Sequence, residues 1–419
     1  MPAGAPAPDR PGRAPVAVVL VRNPAVHDAR IFRAAETLRG LGYAPVILAV
    51  ESAREPGAPV RRDGVPIHRL RPRSPLRRPG RGARAAAAAP LAPAAGAATG
   101  GLGGRARALR LARRANRLVV TADFYRRAFG FLRAHRPTLV HCNDFNTMWP
   151  GVAARVLLGA RLIYDAHELW PDRNGRTEDR RWLIAAEAMF VRAAHRCIVT
   201  SPGHAEAMAR RYRIAPPTVV RNVPAPVDGD APEPAPGPPT IVYLGGVQPG
   251  RGLEQAIAAL GEIAAARLRI IGPGRPDFRA GLLQLAGDHG VADRVSVGQA
   301  VAPERVVATA REAHVALALF QPTCRSYVLG LPNKLAEYAV AGVPVLSSDL
   351  PVMADFVREL GTGEVVDATS PEAVAAGLRR LLAPERQREV RTRLAGAGER
   401  LSWARERAVL ERVYREAVG

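Results

Sequence analysis

Short runs of β-branched and aliphatic residues alternate with stretches of helical period along almost the whole chain, the pattern of parallel strands joined by crossover helices. In the first half the strand-like runs are Val16–Arg22, Ala44–Val50, Leu139–Cys142, Leu162–Asp165, Cys197–Thr200 and Thr218–Arg221, separated by helical stretches such as Ala29–Leu41 and Thr177–Ala194. The alternation breaks once, at Val223–Pro239 (VPAPVDGDAPEPAPGPP). So much proline holds neither a helix nor a central strand, and the segment reads as an interdomain linker. The pattern resumes with Ile241–Leu244, Leu268–Ile271, Val295–Val297, Val315–Leu319, Pro344–Ser347 and Glu364–Val366. The expected fold is α/β: two doubly wound domains, residues 15–222 and 240–398, joined by linker 223–239, with a cleft where the strand C-termini face each other. A charged helix, Leu401–Val418, closes the chain within residues 399–419. Residues 1–14, rich in Ala, Pro and Gly, are expected to be disordered.

Composition narrows the class. With 419 residues, 47% apolar and 23% charged, there is enough to bury two cores. The longest apolar stretch, Ala85–Gly104, is interrupted by Pro90 and Pro93, so no membrane span is expected. The N-terminus lacks the apolar core of a signal peptide. Cys142, Cys197 and Cys324 are scattered without metal or disulfide spacing, and a cytoplasmic location is expected. The formal charge of +22 is concentrated: Gly64–Ala122 holds thirteen arginines and no Asp or Glu. Within it, residues 71–106 offer little to bury and are expected to form a mobile loop. The segment has no aromatic interleaving, zinc spacing or helix-turn-helix signature, which argues against a specific nucleic-acid partner. An anionic membrane surface matches it better, at about 1 kcal/mol per arginine; a merely solvated insertion is the alternative.

Three segments of the second half carry chemistry. Val242-Tyr243-Leu244-Gly245-Gly246 is a strand entering a glycine turn, followed by Pro249-Gly250-Arg251-Gly252 and a helix. Glycines admit a ligand to the backbone, and a helix N-terminus suits a phosphate, although any βα turn uses glycine for geometry alone. Ile270-Ile271-Gly272-Pro273-Gly274 repeats the arrangement. In Leu331-Pro332-Asn333-Lys334-Leu335-Ala336-Glu337-Tyr338, Lys334 and Glu337 share one helix face near its start, expected to be exposed. They form either a surface ion pair or a cation for phosphate beside a carboxylate for sugar hydroxyls. Of the 60 basic residues only Lys334 is lysine, which favours the second reading.

These segments, with PNKLAEYAVAGVPVLSSDLP, resemble the donor domain of family-four glycosyltransferases of the GT-B fold. The first half agrees: Leu139-Val140-His141-Cys142-Asn143-Asp144 and Tyr164-Asp165-Ala166-His167-Glu168-Leu169-Trp170-Pro171 are similar to the family's strand-end motifs, and Asn23–Arg30 (NPAVHDAR) sits where the first cleft-facing loop belongs. The resemblance spans about residues 15–225 and 240–419. It implies retaining transfer of a sugar from a UDP- or GDP-linked donor, without cofactor or metal, to a glycan, lipid-linked or small-molecule acceptor. It also implies a C-terminal helix that returns to the first domain, and a peripheral location on the inner face of the membrane. Arg251 and Lys334 would meet the diphosphate, Glu337 the ribose, and His167 the transferred sugar; Gly245, Gly246, Gly272, Gly274 and Asn333 complete the donor set. His27, Asp28, Arg30, His141, Asp144 and Glu168 are the acceptor-side candidates, with Asp28 equally suited to cap the first helix. Two positions depart from the family pattern: Gly246 stands where an arginine is common, and Leu329 where the first of two glutamates would be. The rival readings are another GT-B enzyme such as a sugar-nucleotide epimerase, a dinucleotide oxidoreductase, and a non-enzymatic basic binding protein. The oxidoreductase lacks its G-x-G-x-x-G turn after Val16–Asn23.

Overall fold

The computed structural model describes residues 14–26, 28–51, 61–73, 103–176, 178–224 and 237–419. His27, residues 1–13, 74–102 and 225–236 lie outside the described residues, so the expectations for the N-terminal segment, for most of the loop 71–106 and for most of the linker fall there too.

Two sheets form, one in each half. The first contains β1 (Val16–Leu20), β2 (Ala44–Val50), β3 (Arg61–Arg62), β4 (Val65–Leu70), β5 (Leu139–Asn143), β6 (Arg161–Ala166), β7 (Arg196–Val199) and β8 (Thr218–Val219). Their order is β3-β4-β2-β1-β5-β6-β7-β8, and only β3 runs antiparallel to its neighbour. The second contains β9 (Thr240–Leu244), β10 (Arg267–Ile271), β11 (Val295–Gly298), β12 (Val315–Ala318), β13 (Val345–Ser348) and β14 (Gly363–Val366), ordered β11-β10-β9-β12-β13-β14 and all parallel. Strand order reverses beside β1 and beside β9, where the turns splay apart and leave the crevice that α/β sheets use for ligands. Central strands buried on both faces need apolar residues at every position. Val16–Leu20 (VAVVL) meets that demand, pairing in register with β2 and β5 through Val18↔Val46 and Val18↔Val140.

The last helix, Trp403–Val418, does return to the first domain. Leu410, Val413, Tyr414 and Ala417 join Ile31, Leu38 and Ile47 in one buried cluster. Glu406 accepts from the Arg221 backbone N–H and from its Nε, both at 2.7 Å.

Two elements were not visible in the sequence. The β3–β4 hairpin turns on Asp63 and Gly64, both with positive φ (50° and 78°), the conformation a tight hairpin turn needs. The helix Gly103–His135 corrects the loop expectation over residues 103–106: its Arg, Ala and Leu are strong helix formers, and they continue the helix from the packed turns around Phe124, Ala128 and Leu132. Among the described residues no helix is long and apolar enough to cross a membrane.

Candidate active site

The helix Asn333–Ala341 starts directly after Pro332, which occupies its N-cap position and closes the preceding loop. This places Lys334 in the first turn, where it points back over β9. The expected exposed face is corrected here: Lys334 is only 7% exposed. Its Nζ lies 3.8 Å from the centroid of the Tyr243 ring and 5.1 Å from that of Phe320. It makes no ion pair with Glu337, because the lysine folds onto the aromatic rings rather than along the helix surface. Burial, and then the Arg251 charge, hold the ammonium well below the usual lysine range, with Glu337 pulling weakly the other way.

Arg251 shares the same aromatic wall. Its guanidinium carbon lies 3.9 Å from the Phe320 centroid and 4.5 Å from that of Tyr327. Nη2 donates to the Tyr327 hydroxyl at 3.0 Å. With the Gln248 amide turned so that its carbonyl faces the guanidinium, Oε1 accepts from Nη2 at 2.8 Å and from Nε at 3.2 Å. Nη1 is buried with no partner among the described residues. Two cations thus meet over one phenyl ring with no carboxylate in ion-pairing distance among the described residues. An anion bearing charge on neighbouring oxygens would relieve both, and a diphosphate has that form.

The glycines divide by role. A Cβ on Gly272 would lie 1.8 Å from the Gly245 carbonyl oxygen, so Gly272 is fixed by the contact of two backbones. Gly274 similarly lies against Val247, with which it forms a bridge. These contacts hold Gly245 under Lys334, where a Cβ would sit 3.1 Å from Nζ. Gly246 is open, and Asn333 is exposed.

Across the cleft, the end of β6 builds a charged cluster around Asp165. Arg30 donates to it from Nε at 2.6 Å and from Nη2 at 2.7 Å, while Nη1 reaches the Val220 carbonyl at 2.8 Å. His141 lies 3.2 Å from Asp165 through Nε2, and its Nδ1 lies 2.9 Å from the Tyr414 hydroxyl of the last helix. Arg30 and His141 are therefore corrected as acceptor contacts: both are buried with their polar atoms committed to Asp165 and its surroundings. Burial would raise the Asp165 pKa, but Arg30 and His167 outweigh it and hold the carboxyl well below its usual range.

His167 lies between two carboxylates, Nδ1 at 3.8 Å from Asp144 and Nε2 at 3.6 Å from Asp165. Burial favours the neutral ring, but Asp144 and then Asp165 overcome it and raise the pKa to about 9. At neutral pH His167 is an imidazolium. Its contribution to folding is complete below the unfolded histidine value of about 6.5 and is lost as pH rises through about 9. Asp144 has φ 63° and is partly exposed toward the cleft. Asp28 stands at the N-cap of the first helix without capping it through its side chain, which accepts from Asn23 Nδ2 at 2.8 Å. Glu168 is paired with Arg173 at 2.5 Å.

The two domains touch beside this site. The Leu169 N–H donates to Ser326 Oγ at 3.2 Å, Ser201 Oγ donates to the Leu329 carbonyl at 2.8 Å, and His204 Nε2 lies 3.1 Å from the Ser326 carbonyl. Leu329 packs its side chain against the first-domain core, a place where a glutamate would be costly. Sequence reasoning missed Gln248, Phe320, Ser326 and Tyr327; the only signal was two aromatic residues in an otherwise polar loop ahead of the PNK helix.

Two family models match the chain, "Glycosyltransferase Family 4" over residues 86–230 and "Glycosyl transferases group 1" over residues 238–384. A D-inositol 3-phosphate glycosyltransferase of Segniliparus rotundus is 27% identical over 323 residues, 71% of this chain and 70% of that protein. A GDP-mannose-dependent alpha-(1-6)-phosphatidylinositol monomannoside mannosyltransferase of Mycobacterium tuberculosis is 34% identical over 168 residues, 38% of this chain and 42% of its own length. Among solved structures, sucrose-phosphate synthase from Thermosynechococcus elongatus superposes with a TM-score of 0.69 at 18% identity, covering 96% of this chain and 98% of that one. The Anabaena HepE protein in complex with UDP-glucose gives 0.65 at 12% identity, covering 96% and 99%. At such identities the structures speak for the fold alone. Together with the sequence matches, they define a two-domain transferase that uses a nucleotide sugar and an acceptor. The chain belongs to the family-four glycosyltransferases of the GT-B fold.

Proposed function

We propose that the protein transfers a sugar with retention of configuration, without a metal or cofactor, from a UDP- or GDP-linked donor to a polyol, glycan or lipid-linked acceptor of the cell envelope. The observation that carries this reading is the pair Arg251 and Lys334 over the Phe320 ring. Cleavage of the anomeric C–O bond leaves its electron pair, and so negative charge, on the departing diphosphate, and these two cations lie ready to stabilise it. Glu337 takes the ribose in this reading. The His167 imidazolium cannot accept a proton, so it orients the sugar through charge and hydrogen bonding. Asp144 and Glu168 remain the acceptor-side carboxylates. The relatives' names support a phosphorylated or lipid-bound polyol as acceptor.

Titration calorimetry with UDP and GDP tests the donor site. One of the two is expected to bind at micromolar to millimolar concentration. Its affinity should fall as pH is raised toward the usual lysine range, because burial beside Arg251 makes Lys334 surrender its proton earlier than an ordinary lysine does. That fall should be weaker in Lys334→Met, which has no ammonium to lose. Failure of both nucleotides at millimolar concentration sinks the assignment.

We further propose peripheral attachment to an anionic membrane, with the protein on the cytoplasmic face. In the helix Gly103–His135, Leu111 and Leu118 lie seven residues apart on one face, 69% and 65% exposed, beside Val119 at 49%. Exposed Arg114 and Arg117 flank them. An unpartnered apolar stripe bordered by arginine suits a bilayer interface. Co-sedimentation with vesicles containing phosphatidylserine should exceed that with phosphatidylcholine alone, and the double substitution Leu111→Ser with Leu118→Ser should reduce it several-fold. Equal sedimentation of the variant would remove the helix from this role.

A further inference from the structure

The four-residue helix Arg325–Val328 stands between the two domains, and its residues face opposite ways. Ser326 is tied to the first domain through the Leu169 N–H and the His204 ring, and the Leu329 carbonyl just beyond it through Ser201. Tyr327 turns toward the donor site, where its hydroxyl accepts from Arg251 Nη2 at 3.0 Å and lies 3.3 Å from the Gln248 amide. With the Gln248 carbonyl facing the guanidinium, the tyrosine hydroxyl accepts from Arg251 and donates to Gln248, closing a three-membered ring of hydrogen bonds. The Tyr327 ring also meets Phe320 edge-on, with centroids 5.4 Å apart and planes at 84°. Arg251 is thus fixed at Nε and Nη2 while Nη1 stays buried and, among the described residues, unpaired. Cation–π contact alone leaves a guanidinium free to rotate in its plane. The hydroxyl and the amide remove that freedom.

We infer that Tyr327, with Gln248, is a positioning residue: it sets the guanidinium of Arg251 so that the unpaired Nη1 meets the diphosphate, and it ties this setting to the contact between the domains. The inference rests on the donor reading above, and the test separates the two. Kd for UDP and GDP is measured by calorimetry on the full chain for Tyr327→Phe, Arg251→Gln and the double variant, alongside uridine and guanosine as phosphate-free probes. Tyr327→Phe removes one hydroxyl and keeps the ring packing.

The diphosphate that binds should lose about ten-fold in affinity in Tyr327→Phe, the scale of a hydrogen bond to a charged group. The matching nucleoside should be unaffected, which a merely structural defect would not spare. In the Arg251→Gln background the same change should cost less than about two-fold, because the group it positions is gone. If the two losses multiply, or if nucleoside and diphosphate weaken alike, Tyr327 does not act through Arg251 and the inference fails while the donor site stands. If Arg251→Gln itself leaves diphosphate affinity unchanged, the donor reading fails, and the role of Tyr327 fails with it.

Discussion

Lys334→Met is expected to lower turnover by about a hundred- to a thousand-fold while leaving the protein as stable as before or more so. The rate loss follows from position: the ammonium meets charge that grows as the diphosphate departs, and removing one such preorganised group typically costs about 2.7 to 4 kcal/mol of transition-state stabilisation. The stability gain follows from burial. In the free protein Lys334 is desolvated against Tyr243 and Phe320, faces the like charge of Arg251, and meets no hydrogen-bond acceptor among the described residues. Replacing such a group with an apolar one of similar volume is often neutral or stabilising. Lys334→Arg should not rescue activity. The guanidinium fork is wider than an ammonium, and the site is walled by the Tyr243 ring and by Gly245, where even a Cβ would come within 3.1 Å of Nζ. Steady-state kinetics and thermal melts on both variants check this; full turnover in either would remove Lys334 from the leaving-group site.

Asp165→Asn should be the most destabilising single change in the first domain. The carboxylate is the common anchor of Arg30, His141 and His167, and its removal leaves a buried guanidinium without counter-charge. Breaking a buried pair by removing one partner costs about 3 to 5 kcal/mol, a fall in melting temperature on the order of 10 °C for a domain of this size. The same substitution should lower the His167 pKa from about 9, since one of its two carboxylates is gone and burial still favours the neutral ring. Histidine resonances followed through a pH titration report this directly. Asp144→Asn should lower the same pKa with a much smaller stability loss, because Asp144 is partly exposed. An unchanged His167 titration in both variants would refute the two-carboxylate account of its charge.

The two sheets were legible because central parallel strands must be apolar at every position, and runs such as VAVVL and APVILAV have no other comfortable fate. β4 was hidden because VPIHRL carries Pro66, His68 and Arg69, acceptable only where part of the strand faces outward. Of the site, Arg251, Lys334 and His167 were legible by residue type and motif. Their surroundings were not. Tyr243 comes from β9, and Phe320 and Tyr327 from the connection between β12 and the PNK helix; nothing in their spacing shows that they close around two cations. Arg30, in the first turn of the helix Ala29–Gly40, and His141, near the end of β5, look like cleft residues in sequence because polar side chains at helix starts and strand ends are usually exposed; only the packing of Tyr414 from the far end of the chain shows that they are enclosed.

The burial of Lys334 has one more consequence. This chain writes its positive charge almost entirely in guanidinium, so it contains a single side-chain amine. That amine sits in an aromatic recess that drives it toward the neutral, nucleophilic form. Reagents that acylate amines and ignore guanidines, ordinarily indiscriminate, would here have one internal address. The protein is in effect supplied with a chemical tag at the place where its donor is expected to bind.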